Sequence, residues 1–325
     1  VPQGSTLLPM AEEFAKDFAT PIVEGVFNGE TIDLQAPLQE DGTVDFIELK
    51  GEDGMRVYVR TLLFLFIVTS KKLYPDVKII FGGHSVPSDG SMLNELDFVD
   101  YLMHNEGEES TALFLKAMLN ESALSEVPNL SYRKDSRVIT TNAYHPCDLS
   151  SYPSPYLEGL FDNIMKENPH IEFHATLETN RGCPYSCAYC EWSFTKKIRP
   201  FPMEKIKSEI EWIAKNKIHY CYCADGNFGI LERDVKIAEY VVEKKNEYGY
   251  PYVFKPCYAK ESNDTVFNAG YILNKNKIDK GVTLAYQSLN SETLSNIGCI
   301  DKRLSLFSPK QIVRAFRVYC ICITL

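Results

Sequence analysis

Three cysteines lie close together in the sequence, at Cys183, Cys187 and Cys190, with the spacing C-x3-C-x2-C. Thiolates are the soft ligands that hold iron–sulfur clusters, and a short loop can turn several of them toward one metal centre. Three such ligands, rather than four, leave one coordination position open, as a catalytic metal site requires. The spacing therefore predicts an iron–sulfur cluster. The alternatives are a zinc site completed by His174 or Cys147, and cysteines that only fill a core.

Strands and helices alternate around this motif between residues 171 and 325. Four predicted strands are each followed by a segment with helical spacing of apolar residues, and these strands cover 171–177, 218–224, 252–259 and 282–287. This alternation predicts a parallel sheet in the form of a partial (β/α) barrel of the TIM type, with chemistry at the carboxyl ends of its strands. The cysteine motif follows the first strand, at that end. Cys221 and Cys223, inside the second strand, are predicted to be buried thiols behind the sheet.

The cysteine spacing, with the aromatic Tyr189 before the last cysteine and the run from Leu177 to Cys187, resembles the signature of the radical S-adenosylmethionine (SAM) superfamily. Within it, the run resembles the subgroup that carries an N-terminal cobalamin-binding domain. The resemblance implies that the three cysteines hold a [4Fe–4S] cluster whose fourth iron binds SAM. It also implies reductive cleavage of SAM to a 5′-deoxyadenosyl radical, followed by hydrogen abstraction or cobalamin-assisted methyl transfer on an unidentified substrate.

The same resemblance suggests which residues contact SAM: Tyr189, Asp225, Gly226, Asn227, Lys260, Gln287 and Ser288. After the second strand, glycine would let the backbone approach the ligand, and Asp225 and Asn227 could accept hydrogen bonds from its ammonium group. Lys260, after the third strand, is expected to meet the SAM carboxylate. Gln287 and Ser288, after the fourth, are expected at the ribose.

Residues 76–125 resemble part of the cobalamin-binding domain of that subgroup. A short strand ends at Gly82, Gly83 and His84, where the family passes close to the corrin ring, and the acidic run 105–109 fits the subgroup's pattern. The predicted architecture is a remnant of a doubly wound α/β fold. The motif that supplies a lower axial histidine in the subgroup, Asp-x-His-x-x-Gly, is absent from the sequence, so cobalamin binding is left open. Residues 126–170, which contain Pro128, Pro146, Pro153 and Pro155, are predicted to be a linker.

Residues 1–75 form a distinct acidic segment, with twelve acidic against six basic side chains. A helix over 6–18, a hairpin around Asn28-Gly29, a strand over 44–49 and a helix over 54–73 predict a small α+β module of the β-grasp type. The run from Asp53 to Arg60 resembles the TGS domain at the start of uridine-kinase-like proteins, which threonyl-tRNA synthetases share. No phosphate-binding loop of the G-x4-G-K-[ST] kind accompanies it, so kinase activity is not expected. An accessory or interaction role is expected instead.

Composition and charge narrow the function classes further. The chain has 325 residues and a formal net charge of −10, which opposes binding to a phosphate backbone, so no nucleic-acid partner is expected. Its longest apolar run, 62–68, is too short to cross a bilayer, and the ten cysteines are expected to be reduced thiols in the cytoplasm. The expected partners are a small-molecule or peptide substrate and an external electron donor of the flavodoxin or ferredoxin type.

Four strand–helix units, where the superfamily usually has six, predict a barrel that is cut short at its C-terminal end. The alternative function is therefore a non-catalytic iron–sulfur or zinc-binding fragment that does not turn over SAM.

Overall fold

A computed structural model describes residues 4–83, 85–146, 148–185, 187–190, 192, 195–260, 263–283 and 291–297. The chain divides into two compact units, one formed by Val1–Ile80 with Phe98–Asp100 and the other by Phe81–Asp97 with Tyr101–Leu325. Within the described ranges, no helix combines the length and apolar character needed to cross a bilayer. The predicted contacts at His84, Cys147, Gln287 and Ser288 lie outside the described residues.

The first unit is a three-stranded antiparallel sheet with two helices. Its elements are α1 (Leu8–Phe14), β1 (Ile22–Phe27), β2 (Glu30–Ile32), β3 (Val44–Glu48) and α2 (Glu52–Leu73), with the strand order β2-β1-β3. Asn28 and Gly29 have φ values of 52° and 86°, so both occupy the left-handed region that a two-residue hairpin turn requires. The hairpin, the third strand and the long helix predicted for this segment are confirmed.

The second unit begins with a small sheet that differs from the prediction. Its elements are β4 (Ile80–Gly82), α3 (Met92–Glu95), β5 (Tyr101–Met103), α4 (Glu108–Met118), β6 (Leu130–Lys134), β7 (Arg137–Thr140) and α5 (Asp162–Glu167). The order is β4-β5-β6-β7, and the β5–β6 and β6–β7 pairs are antiparallel.

The segment 126–170, which the sequence analysis describes as a linker, contains β6, β7 and α5. The turn between the two strands is made by Asp135 and Ser136, whose φ values are 50° and 62°. No glycine marks this turn in the sequence. Since Asp is among the few non-glycine residues that adopt the left-handed region readily, a hairpin can form here without the usual signal.

The rest of the second unit contains a parallel sheet backed by helices, as predicted for the first three strands, whereas most of the predicted fourth strand, 282–287, lies outside the described residues. Its elements are β8 (His174–Leu177), β9 (Asn180–Arg181), β10 (Arg199–Pro200), α6 (Met203–Lys215), β11 (Tyr220–Phe228), α7 (Arg233–Tyr248), β12 (Val253–Tyr258), α8 (Asp264–Lys275) and α9 (Ser291–Asn296). β8, β11 and β12 are parallel in the order β12-β11-β8. One core contains Leu177, Phe254 and the inward residues of α6 and α7, such as Ile210 and Val241. The carboxyl ends of these three strands therefore share one edge, where the predicted site residues lie.

Candidate cluster and cofactor site

The loop that carries the three cysteines is closed by a short antiparallel ladder. β9 pairs with β10, with Arg181 opposite Arg199 and Asn180 opposite Pro200. We call this ladder of 180–181 and 199–200 the neck of the loop. Just inside it, the Cys183 amide donates to the Thr195 carbonyl oxygen at 2.9 Å. Gly182 has a φ of 99°, and a Cβ atom there would collide with the carbonyl oxygen of Lys197. The neck therefore needs glycine at this position for both its conformation and its close packing.

Two of the cysteines contact residues that follow the parallel strands. The Asn227 side-chain amide donates to Cys183 Sγ at 3.2 Å, and Lys260 Nζ donates to Cys187 Sγ at 2.7 Å. Cys183 and Cys187 are buried, and Cys190 is half-buried. Because Asn227 lies at the end of β11 and Lys260 follows β12, the cysteine loop lies at the carboxyl ends of these strands. This is the placement that the sequence predicted.

The thiols match a cluster in chemical type and position but are not gathered around a common point. Among the described residues, no group of three or more His, Cys, Asp or Glu side chains is arranged to hold a metal ion. Metal sites seldom exist fully formed before the metal binds, because the ligands close on it as thiolates. Three thiols on one loop thus satisfy the donor set for a cluster, and Cys187 would exchange its contact with Lys260 for a metal bond.

Lys260 and the aromatic residues of the loop form one face of the site. Lys260 Nζ lies 5.6 Å from the ring centre of Tyr185 and 5.7 Å from that of Tyr189, and it donates to the Tyr189 hydroxyl at 3.4 Å. Cation–π contacts of this kind hold an ammonium group in place without neutralising its charge. At the end of β11, a Cβ atom on Gly226 would lie 3.1 Å from the ring of Trp192. Gly226, Asn227, Lys260 and Tyr189 are therefore brought together.

Asp225 is engaged inside the protein rather than turned toward a ligand. Its side chain is fully buried, and its carboxylate accepts hydrogen bonds from the Thr179 amide at 2.6 Å, the Asn180 amide at 3.2 Å and the Asn180 side chain at 2.7 Å. The Thr179 hydroxyl also donates to it. Burial raises the pKa of Asp225 to about 7, against these hydrogen bonds, which lower it. The predicted contact of Asp225 with the SAM amine finds no support in this geometry, which instead ties the end of β11 to the start of β9.

Glu106 was not singled out in the sequence, yet it contacts both arginines of the neck. Its carboxylate accepts from Arg199 at 2.6 and 3.1 Å and from Arg181 at 3.2 Å. Arg181 also pairs with Glu108 at 2.5 Å and with Glu178 at 2.9 Å. The sequence contains two signals for this ion pair, the arginines that flank the cysteine motif and the acidic run at 105–109. Nothing in the sequence indicates that these distant residues contact each other.

The small sheet places the predicted cobalamin residues at the end of β4. Gly83 has a φ of 104°, and, its chain neighbours apart, no atom of the described residues lies within 4 Å of where its Cβ would stand. The Gly83 amide donates to the Met103 carbonyl oxygen at 3.2 Å, so the pair of glycines is attached to β5. A glycine with open space beside it fits a backbone that a large planar ligand approaches.

The zinc alternative that used His174 is not supported. His174 opens β8, whereas the cysteine loop follows the other end of this strand, and its Nε2 lies 3.3 Å from a carboxylate oxygen of Glu172. Cys221 and Cys223 are buried at 1% and 0% exposure, and burial raises the pKa of both thiols. They are the inert core thiols that the sequence predicted.

Comparison with known proteins relates most of the chain to one group of enzymes. No family model matches the sequence. The chain is 34% identical over 277 residues to the cobalamin-dependent radical SAM methyltransferase TokK of Streptomyces tokunonensis, a match that covers 82% of this chain and 40% of that protein. It is also 30% identical over 205 residues, or 60% of this chain and 31% of the other, to a threonine–tRNA ligase of Desulforamulus reducens.

A solved structure shares the fold. The cobalamin-dependent SAM radical enzyme OxsB, with aqua-cobalamin and SAM bound, matches 81% of this chain and 38% of its own with a TM-score of 0.58 and 20% identity. At this identity the likeness concerns the fold alone. The chain spans about 40% of the length of the enzymes it matches in this group. The chain is therefore related, in sequence and in fold, to the cobalamin-dependent radical SAM enzymes.

Proposed function

We propose that this chain forms part of a cobalamin-dependent radical SAM methyltransferase in which Cys183, Cys187 and Cys190 hold a [4Fe–4S] cluster. The observation that carries the proposal is the position of the cysteine loop. Contacts from Asn227 and Lys260 place it at the carboxyl ends of parallel strands. The similarity to TokK over 277 residues supports the same assignment.

The residues around the loop have complementary tasks in this proposal. When bound, the cluster would supply the electron for reductive cleavage of SAM, and cobalamin would supply a methyl carrier. The Lys260 ammonium group would bind a carboxylate once Cys187 is taken up by the metal. The lack of a side chain at Gly226 leaves room for the ring of Trp192 at the end of β11. The rings of Tyr185 and Tyr189 would limit the access of water to the site.

The cobalamin and SAM contacts of the remaining residues are part of the proposal. Gly82 and Gly83 at the end of β4 are assigned to cobalamin, because the relative TokK is cobalamin-dependent and Gly83 is open on its Cβ side. His84 is proposed as a neighbour of the same ligand, and Gln287 and Ser288 as ribose contacts. The substrate is proposed to be a small molecule, with electrons from an external flavodoxin- or ferredoxin-type donor.

We also propose that different segments of the chain have different functions. Residues 1–75 would be a TGS-like accessory module, as the resemblance of the run from Asp53 to Arg60 suggests. The α/β segment that begins at residue 76 would carry the cobalamin contacts, and β8 onwards would be the partial barrel that carries the cluster and SAM.

Anaerobic reconstitution with iron and sulfide tests the cluster. We expect about four irons per chain, and almost none in the variant in which Cys183, Cys187 and Cys190 are all changed to Ala. Cys257→Ser is the matched control, because Cys257 is a half-buried cysteine outside the loop. Equal iron in the parent and the triple variant would contradict the proposal.

Incubation of the reconstituted chain with SAM, cobalamin and dithionite separates the two functional alternatives. Formation of 5′-deoxyadenosine or transfer of the SAM methyl group to cobalamin is expected of the proposed enzyme. Iron binding without either reaction would indicate a non-catalytic iron–sulfur protein.

A further inference from the structure

Two positively charged side chains face each other in the neck of the cysteine loop, and the ladder itself contains no acidic residue to balance them. Arg181 and Arg199 stand directly opposite each other on β9 and β10. Like charges at opposite positions of an antiparallel pair destabilise it. The Arg199 side chain is only 4% exposed and that of Arg181 17%, so water screens this repulsion poorly. A neck of this kind requires an anion next to both guanidinium groups.

Glu106 supplies that anion from a distant part of the second unit. Each of its carboxylate oxygens accepts from Arg199, and one of them also accepts from Arg181. Although burial alone would raise it, these two guanidinium groups hold the pKa of the Glu106 carboxyl below its ordinary value. Arg199 also donates to the Pro146 carbonyl oxygen at 2.7 Å and to Thr195 Oγ1 at 3.2 Å. Both Nη atoms of Arg199 therefore have acceptors, whereas its buried Nε has no hydrogen-bond partner among the described residues.

The position of Glu106 connects the neck to the segment that carries the glycine pair. Glu106 lies three residues after Met103, the last residue of β5, and two residues before Glu108, where α4 begins. The Met103 carbonyl oxygen accepts from the Gly83 amide. A displacement of Gly83 would thus be transmitted to the Glu106 carboxylate through the hydrogen bond to Met103 and the three residues that follow it.

We propose that Glu106 is a positioning residue for the cysteine loop, and that it makes the geometry of the cluster ligands depend on the small sheet of β4 and β5. Removing the carboxylate takes the acidic partner from the buried Arg199 guanidinium group, while Arg181 keeps Glu108 and Glu178. The Arg199 charge then faces Arg181 in a poorly solvated neck, which opens the ladder. The parallel sheet itself does not use this ion pair. The last part of the proposal, a link between the proposed cobalamin face and the cluster ligands, rests on the proposed function.

Hydrogen exchange on the metal-free 325-residue chain tests this inference without any cluster. In Glu106→Gln we expect the amides of 180–199 to exchange about tenfold faster, a change that corresponds to about 1.4 kcal/mol. The amides of β11 and β12 should keep the parent rates. Glu108→Gln is the matched control, because Glu108 also pairs with Arg181 but is 41% exposed, and we expect it to change the same amides less than about twofold.

A uniform increase in amide exchange rates across the second unit would overturn the inference, because it would indicate that the whole unit is destabilised. Equal effects of Glu106→Gln and Glu108→Gln would also overturn it. If Glu106→Gln fails to fold, Arg199→Lys replaces it, because lysine keeps a positive charge beside Glu106 but cannot make the forked contact. We expect Arg199→Lys to raise the exchange rates of the amides in 180–199 in the same way. If these rates equal those of the parent chain, the inference is overturned.

Iron release to a chelator extends the test to the reconstituted protein. We expect Glu106→Gln to lose iron several-fold faster than Glu108→Gln at equal thermal stability. A parent chain that binds no iron would contradict the proposed function, while hydrogen exchange would still decide the role of Glu106. A parent that binds iron, with unchanged exchange in Glu106→Gln, would contradict only the positioning role.

Discussion

Gly182 and Asp225 hold the cysteine loop by opposite means. Gly182 lacks the side chain that would collide with Lys197, and its positive φ turns the chain into the loop. Asp225, by contrast, uses both carboxylate oxygens to hold Thr179 and Asn180, the two residues before Arg181. Gly182 directly precedes Cys183 in the chain, and the Asp225 carboxylate reaches the loop through Thr179 and Asn180. Their effects on a cluster would therefore pass through the backbone of the neck.

Gly182→Ala should damage the loop more than an ordinary loss of glycine. Gly249 is the control: its φ is 84°, but in the part of the chain that the structure describes no atom beyond its chain neighbours lies within 4 Å of a Cβ placed there. Gly249→Ala is expected to cost about 1–2 kcal/mol, from backbone conformation alone. Gly182→Ala should cost more in urea unfolding and also lower the iron bound after reconstitution. Equal losses of stability and normal iron in both variants would contradict this account.

The raised pKa of Asp225 makes the stability of the folded chain depend on pH, in a direction that can be predicted. Its pKa is about 7 in the folded chain against an ordinary value of 3.8, so the folded state keeps a proton that the unfolded state releases above about pH 4. The stabilisation from this proton is complete below about pH 4 and is lost as the pH rises through 7. Asp225→Asn, which does not titrate, should therefore flatten the fall in melting temperature between pH 5 and pH 8.

The slope in Asp225→Asn is not expected to vanish, because burial also raises the pKa of Asp234, to about 6. The variant should be less stable overall, by about 1–3 kcal/mol, because its amide group faces the donors of Thr179 and Asn180. A parent slope that survives unchanged in the variant would show that Asp225 does not keep the proton.

Among the elements, β8 shows how the sheet protects an open edge. The Tyr156 hydroxyl accepts from the Thr176 amide at 3.0 Å and donates to the Thr176 carbonyl oxygen at 2.7 Å. One phenol thus satisfies both backbone groups of an edge residue, as a neighbouring strand would. The ring of Tyr156 packs on Trp212 of α6, with ring centres 4.8 Å apart, so the same residue joins the strand to its helix.

Tyr156→Phe should lower the free energy of unfolding by about 1–3 kcal/mol, because it leaves two backbone groups of Thr176 without this partner but keeps the ring. Tyr240→Phe on α7 keeps its ring beside Lys244 and is expected to change stability by less than about 0.5 kcal/mol. Chemical denaturation of both variants checks the difference. Indistinguishable variants would show that the hydroxyl of Tyr156 is not needed at the strand edge.

The whole molecule consists of two units that each bury their own apolar side chains. Leu7 is fully buried in the first unit, and Ile210 is 2% exposed in the core of the second. Separate cores allow separate unfolding, so a single free energy of unfolding need not describe the whole chain.

Calorimetry or urea titration should therefore resolve two transitions. Leu7→Ala is expected to shift only one of them and Ile210→Ala only the other, each by about 2–5 kcal/mol. A single transition that both substitutions shift equally would show that the two units unfold together.

Local features of the fold and site could be predicted from the sequence, because they depend on neighbouring residues. The hairpin at Asn28-Gly29, the alternation of strands and helices from β8 to α8, and three thiols at the end of a strand all follow from spacing and local conformational preference. The hairpin of β6 and β7 escaped prediction because its Asp135-Ser136 turn uses left-handed residues without glycine.

Only the tertiary structure decided which side chains are free for a ligand and which are used internally. Asp225 reaches Thr179 across 46 residues, and Glu106 reaches Arg199 across 93. In the sequence all of these are ordinary polar residues near strand ends. Burial makes each of them need a partner, and the partner is set by how distant segments pack, which residue type and spacing do not contain.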